Sequence, residues 1–517
     1  MNTSVDLTSA RLGRWLISSL AVAILVVLTA TAAAGTAPQK SRFVTPSDFG
    51  GDLPAAPTQR LEDPADRLAN LERVLREPRL APTPIEDPVP LPALAGVAVL
   101  NLNSGVGYGD LETAVSAASA GDHLRVQQDL MVGRFTIDKD LSIEGLTGIE
   151  TLRATTATGS DGDDRAWILV DVGIQLHVRD LVIDGNGIDI YQAFRHKGFG
   201  SFDGVVFTNI QYAPLPYEGF AVAAAGGRVD IRNCAFDRIG RAGVLYSGFG
   251  VSGSIVEHNT YTGKGAGNLL EYGLDIGNGA SVAVWSNTFI DCLGITTGSG
   301  TTSAGVLASG VGTVVLVREN TFLNNEIGTA IGFIGTDDTV ASFLFNRFAG
   351  NQSGIQNIAS TAITAERNWW GCNAGPGQPG CDVTDVDVGA GAVDTDPWLI
   401  LTYVARPDRV GTGCRTALVA DVVMDSDGAD TSGLGSVLDG TPITFDGGLL
   451  GIASPALVGT VAGVSHSAFL AGMLTGQSET SATLDNQTLT AWVTLDLVLF
   501  CDGFESGDTT AWSATVS

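Results

Sequence analysis

Seven residues able to do acid–base or ion-pair chemistry fall together between positions 184 and 203: Asp184, Asp189, Tyr191, Arg195, His196, Lys197 and Asp203. Taking a proton from an acidic sugar needs a base, and Arg195 or Lys197 could serve beside carboxylates such as Asp184 and Asp189 that hold Ca²⁺ against the sugar. The same residues read equally as a solvated loop whose charges pair only with one another. Upstream, Asp161, Asp163 and Asp164 have a spacing that could hold Ca²⁺, or they form a solvated acidic turn. A third acidic phrase, Asp425-Ser426-Asp427-Gly428, starts like a Ca²⁺ loop but has Ser436 where the closing acid belongs, so it reads as a hairpin. No Ser or Cys nucleophile motif accompanies them.

What positions these groups is a repeat. A β-rich run followed by Asn, any residue and an aromatic recurs as Asn259-Thr260-Tyr261, Asn287-Thr288-Phe289, Asn320-Thr321-Phe322, Asn346-Arg347-Phe348 and Asn368-Trp369-Trp370. Two degenerate copies precede it, Val205 before Phe207 and Cys234 before Phe236. From Val205 the steps are 29, 25, 28, 33, 26 and 22 residues. A unit this short cannot bury its own apolar face and must stack on its neighbours, which makes a solenoid. Alternation in Val229-Asp230-Ile231, Val282-Ala283-Val284 and Val315-Leu316-Val317 sends every second side chain inside. The aromatic falls inward, and the Asn sits at a turn where left-handed geometry suits it and where stacked Asn residues can bond to one another. The step from Leu141 to Leu181, 40 residues, predicts a loop protruding near 155–165, and a second protrusion is expected between 181 and 229. Cys234 and Cys292 lie two rungs apart, about 9–10 Å at the strand spacing, beyond disulfide reach.

This pattern resembles the right-handed parallel β-helix of the pectin-lyase-like superfamily over residues 97–400. The resemblance implies an all-β solenoid but leaves function open, because the fold carries lyases, hydrolases, esterases, epimerases, phage tailspikes and catalytically silent surface proteins. The polygalacturonase set of Asn-Thr-Asp, Asp-Asp, Gly-His-Gly and Arg-Ile-Lys is not here as a set, and Asp163-Asp164 is its only fragment. The paired Asp and Gln pattern of pectin methylesterases is not found either. The exit phrase from Asn368 through Cys372, Cys381 and Asp396-Pro397-Trp398 resembles one that closes extracytoplasmic β-helices. It implies aromatics plugging the last rung and a Cys372–Cys381 bridge; a metal site is the other reading of that pair. After residue 401 short alternating strands set in, and Asp439-Gly440-Thr441-Pro442-Ile443-Thr444-Phe445 resembles bacterial Ig-like domains of invasin type. Cys414 and Cys501 could bridge the ends of that domain.

The flanks and composition bound the rest. Residues 1–34 read as a signal peptide, with Arg11 and Arg14 ahead of an uncharged run and Ala32-Ala33-Ala34 for cleavage, or as an uncleaved membrane anchor. Residues 35–96 hold 11 of the 19 prolines and read as a spacer. One helix is expected within it, with Asp63 capping, Leu68, Leu71, Val74 and Leu75 forming a stripe laid on the solenoid, and Pro78 ending it. A second helix over 110–120, stopped by Gly121, caps the solenoid's open end. The formal charge of −28 argues against nucleic acid as a partner and permits divalent cations. Residues 401–497 are the sandwich and 498–517 a tail of underived role. The expectation is an exported bacterial surface or secreted protein with a structural or adhesin-like binding role, contacting glycans or other surfaces. The alternative is a Ca²⁺-dependent polysaccharide lyase.

Overall fold

The computed structural model describes residues 63–76, 96–214, 218–296, 302–332 and 337–497. The expected signal segment, most of the spacer, Cys501 and the tail lie outside these residues.

Short strands wind through three parallel sheets in rotation until the last turn, where the second sheet has no strand, and this is a parallel β-helix. The first sheet runs from Asp122–Val126 to Val393–Asp394, behind an antiparallel hairpin of Val99–Asn101 and Gly107–Tyr108. The second runs from Leu130–Val132 to Arg347–Ala349, and the third from Phe135–Ile137 to Thr384–Val386. Each strand pairs in parallel with the strand one turn later, as Val282↔Val315 in the first sheet and Phe289↔Phe322 in the second show. Phe207, Phe236, Tyr261, Phe289, Phe322 and Phe348 share one register position, all buried. From Phe289 onward the rings stack at 5.2, 5.0 and 4.9 Å, ending on Trp370. The last rung is therefore plugged by an aromatic, as the exit phrase implied.

The Asn ladder forms, with one correction. The left-handed residue at each corner precedes the Asn: His258, Ser286, Glu319, Phe345 and Arg367 have φ of 52 to 58°. The Asn side chains are thus free to stack, each oxygen accepting from the backbone N–H one rung below, while Asn287 Nδ2 donates down to Val256 O at 2.8 Å and up to Asn320 Oδ1 at 2.9 Å. These bonds offset the cost of a non-glycine residue at positive φ.

A second ladder, not expected from the sequence, runs beside the third sheet. Cys292 N–H donates to Asn325, Asn325 to Asn351, and Asn351 to Asp382. Burial pushes the Asp382 carboxyl up to about 6 against the bonds from Asn351 and Gly350 that favour its charged form. A folded-state value above the unfolded one of about 3.9 means that the folded protein holds the extra proton, so this group stabilises increasingly as pH falls from about 7 to 4. Asp382→Asn should flatten part of that slope in urea midpoints measured across the range. An unchanged slope would show that Asp382 is not the titrating group.

The expected rung spacing is corrected. Leu141 is equivalent to Leu176, not Leu181, because Thr151–Ala154 and Ala166–Val170 complete a rung between them. The loop expected near 155–165 does form, between Thr151–Ala154 and Ala166–Val170, and carries the turn Gly162–Arg165. The stretch from 181 to 229 holds Gln192–His196, Phe199–Asp203, Val206–Thr208 and Phe220–Ala224, so Arg195 lies on a strand rather than in a loop. Length alone could not separate an insertion from an extra turn.

Both helices form. The first, Pro64–Arg76, is capped by Asp63, whose Oδ1 accepts from Ala65 N–H at 2.9 Å. It sets Leu68, Leu71 and Leu75 on Ala283, Val314 and Leu316 of the first sheet, and Arg67 donates to Gly279 O at 2.6 Å and to Gly312 O. The second, Leu111–Ala117, is capped by Asp110 and ends at Ala118, earlier than Gly121.

Residues 399–496 make two facing sheets, one ordered Leu399–Arg406, Arg415–Asp425, Val464–Ala471, Gly451–Ser454, and the other ordered Arg409–Gly411, Gln487–Asp496, Gly476–Leu484, Pro442–Asp446, Leu457–Gly459. Leu401, Leu418, Ile443, Phe445, Phe469 and Val493 fill the space between them. Cys372 and Cys381 are disulfide-bonded with Cα atoms 5.1 Å apart, and Cys234 and Cys292 are free and buried. Cys414 is also disulfide-bonded.

Candidate functional site

The outer face of the third sheet gathers the charges that matter. Alternation sends Phe194, Val222, Val244, Leu274 and Val306 into the core. It leaves Arg195, Ala223, Leu245, Asp275, Leu307 and Ala330 in one row on the side away from that core, where Ala223, Leu245, Leu307 and Ala330 are buried in a second apolar cluster with Tyr191, Tyr212 and Tyr272. A second outward row carries Gln192, Phe220, Ala242, Tyr272 and Ala304.

At the N-terminal end of this face the two groups of residues singled out in the sequence meet. Arg195 Nε lies 3.0 Å from Asp163 Oδ1, and Lys197 Nζ lies 2.8 Å from Asp163 Oδ2 and 3.8 Å from Asp171. Arg195 also donates to Gln192 at 3.3 Å. Burial would raise the Asp163 carboxyl, but hydrogen bonds and charge from Lys197 and Arg195 outweigh it and hold it below the usual carboxylate range. One carboxylate thus absorbs both cations. Asp164 faces Arg134 at 3.2 Å instead, and Asp161 stands at the start of the turn, its carbonyl accepting from Asp164 N–H. The three acids address different partners. Among the described residues no group of three or more His, Cys, Asp or Glu is arranged to hold a metal ion.

Asp184 ends the second-sheet strand Val182–Asp184, Asp189 lies in the turn that follows, and both carboxylates are spent there. Asp184 accepts from Asn186 N–H and Asn209 Nδ2, both at 2.8 Å, and Asp189 accepts from Ala213 N–H at 3.0 Å. His196 points inward beside Phe202, and burial lowers it to about 4, so it is neutral at pH 7.

Sequence reasoning missed the centre of the face. Arg241 lies over the Tyr272 ring at 5.0 Å, and Asp275 stands in the neighbouring outward row of the same strand. Burial pushes Asp275 up to about 6, opposed by the Arg241 charge. Both side chains are 8 % exposed, and neither makes a hydrogen bond to any described residue. Next to them Lys264 Nζ donates to Ile239 O at 3.0 Å and lies 3.9 Å from the buried Glu271. An acid with raised pKa beside a guanidinium can orient a polar ligand or exchange a proton with it, while the Tyr272 phenol is held by Thr302 O at 3.4 Å. No spacing rule exposes the cluster, because Arg241 and Asp275 belong to successive rungs and meet only through the register Ala242↔Tyr272.

The first sheet's outer face is different in kind. Arg125, Glu144, Arg179, Asp203, Arg232 and Glu257 occupy one register row with alternating sign. Glu144 takes Arg125 at 2.7 Å, His123 at 3.0 Å and Arg179. Burial alone would raise Glu144, yet these partners bring it down to about 2. Such a self-neutralising ladder specifies register and leaves little charge for a ligand.

No protein-family model matches the chain, and no curated protein matches it. Among solved structures the chain is similar to a double mutant of the tailspike protein of E. coli bacteriophage HK620, at 10% sequence identity and a TM-score of 0.26, over 70% of this chain and 89% of that one.

Proposed function

We propose that this chain is an extracytoplasmic β-helix protein of the pectin-lyase-like superfamily that binds a polysaccharide or another polar cell-surface ligand on the outer face of its third sheet. In this reading residues 97–400 are the binding rod, and residues 401–497 form an Ig-like module fixed to its end. The observation that carries it is the unspent hydrogen-bonding capacity of Arg241 and Asp275 beside Tyr272. A sugar hydroxyl or carboxylate supplies the partners that the protein does not.

The alternative, degradation of an acidic glycan, draws on the same cluster. Asp275, with a carboxyl near 6, is a better candidate for proton transfer than Arg195 or Lys197, which Asp163 occupies.

Titration calorimetry on neutral and uronate polysaccharides tests both readings, alongside ultraviolet detection of unsaturated product with and without Ca²⁺. Asp275→Asn and Arg241→Ala are expected to weaken binding by at least about tenfold, roughly 1.4 kcal/mol, whereas Arg195→Ala leaves it unchanged. A contribution from ionised Asp275 would strengthen binding as pH rises through 6. Product that disappears in Arg195→Ala or Lys197→Ala would instead support the lyase and move the site to the Asp163 end.

A further inference from the structure

The sandwich carries a surface unlike the rest of the chain. From residue 447 to residue 478 there is no Asp, Glu, Lys or Arg, although the whole chain has a formal charge of −28. Its first part forms one edge of each sheet: Gly451–Ser454 ends one and Leu457–Gly459 ends the other. Along it Leu449 is 97 % exposed, Ile452 62 %, Leu457 62 % and Val461 71 %. Exposed Met473 and Leu474 adjoin Leu449, because Gly472 N–H donates to Leu450 O.

Exposed edges of this kind are usually blunted by charge, since they present unpaired backbone N–H and C=O groups beside apolar side chains. We infer that this edge is a self-association surface that joins two copies of the chain edge to edge. Three points select a second copy. Two chains of such negative charge repel over most approaches, and this charge-free run lets them meet without that penalty. A lipid surface would cover the leucines but leave the edge amides and carbonyls without partners. An antiparallel edge pair is self-complementary about a two-fold axis, so one strand suffices for both sides. The inference is independent of the glycan reading.

Sedimentation velocity of the protein over a concentration series tests it, together with hydrogen–deuterium exchange of the segment 447–461. The expected results are a monomer–dimer equilibrium and amide protection of that segment that grows with concentration. The double variant I452K/L457K should weaken the dimer by at least about tenfold. Both positions are exposed, so circular dichroism should match the wild type. Trp492→Lys, exposed on Gln487–Asp496 away from both edge strands, should leave the dimer intact. A wild type that stays monomeric with concentration-independent exchange would overturn the proposal, as would a dimer insensitive to I452K/L457K.

Discussion

Asn320→Ala is expected to remove about 3–6 kcal/mol of stability, several buried groups losing partners at about 1–3 kcal/mol each. Asn320 is fully buried near the middle of the first ladder. Its Oδ1 accepts from Asn287 N–H at 2.8 Å and Asn287 Nδ2 at 2.9 Å. Its Nδ2 donates to Val284 O at 2.8 Å and to Arg318 O and Asn346 Oδ1, both at 3.0 Å. The substitution orphans groups on both neighbouring rungs, and no water can reach them without opening the stack. Asn259→Ala should cost less, because beyond it the ladder position is Cys234, which offers only its backbone N–H. Urea unfolding of both variants measures the difference. Equal, small losses would show that the aromatic stack rather than the ladder holds the rungs in register.

The second large effect is expected at Asp485, which ties the sandwich to the β-helix exit. It sits at φ 51° in the turn between Gly476–Leu484 and Gln487–Asp496. Its carboxylate takes a forked pair from Arg347, with Nε at 3.0 Å, and the indole N–H of Trp369 at 2.7 Å. Around it Asn486 N–H donates to Gly371 O at 3.1 Å, Asn486 Nδ2 to Gly380 O at 2.8 Å, and Asn373 N–H to Gln487 at 2.9 Å. Arg347 is nearly buried, so Asp485→Ala leaves a guanidinium without its counter-charge, at about 3–5 kcal/mol. Calorimetry should show one shared transition in the wild type and two in Asp485→Ala, as the modules uncouple. Asp485→Asn, which can still accept from Trp369, should fall between them. A single unshifted transition in Asp485→Ala would mean that the contact does not couple the two modules.

The disulfided loop adds further bonds to this junction. The Cys372–Cys381 bridge closes a short loop whose Asn373 bonds both to Leu401 N–H and O and to the Gln487 side chain. The loop is thus read from both sides, by the first strand of the sandwich and by its last turn.

The amino-acid sequence by itself determined the solenoid, the inward aromatics, the stacked Asn and the buried free cysteines. Each follows from residue type and period, because a rung that cannot bury its own apolar face has to stack on a like one. Only the tertiary structure decided which side chain lies above which. Rungs differ in length, so Asp163 finds Arg195 and Lys197, Asp275 comes beside Arg241, and Asp382 ends a ladder begun at Cys292, through register rather than spacing. A one-residue change of register turns a side chain from one face of a strand to the other, and turns of varying length hide that register from the sequence.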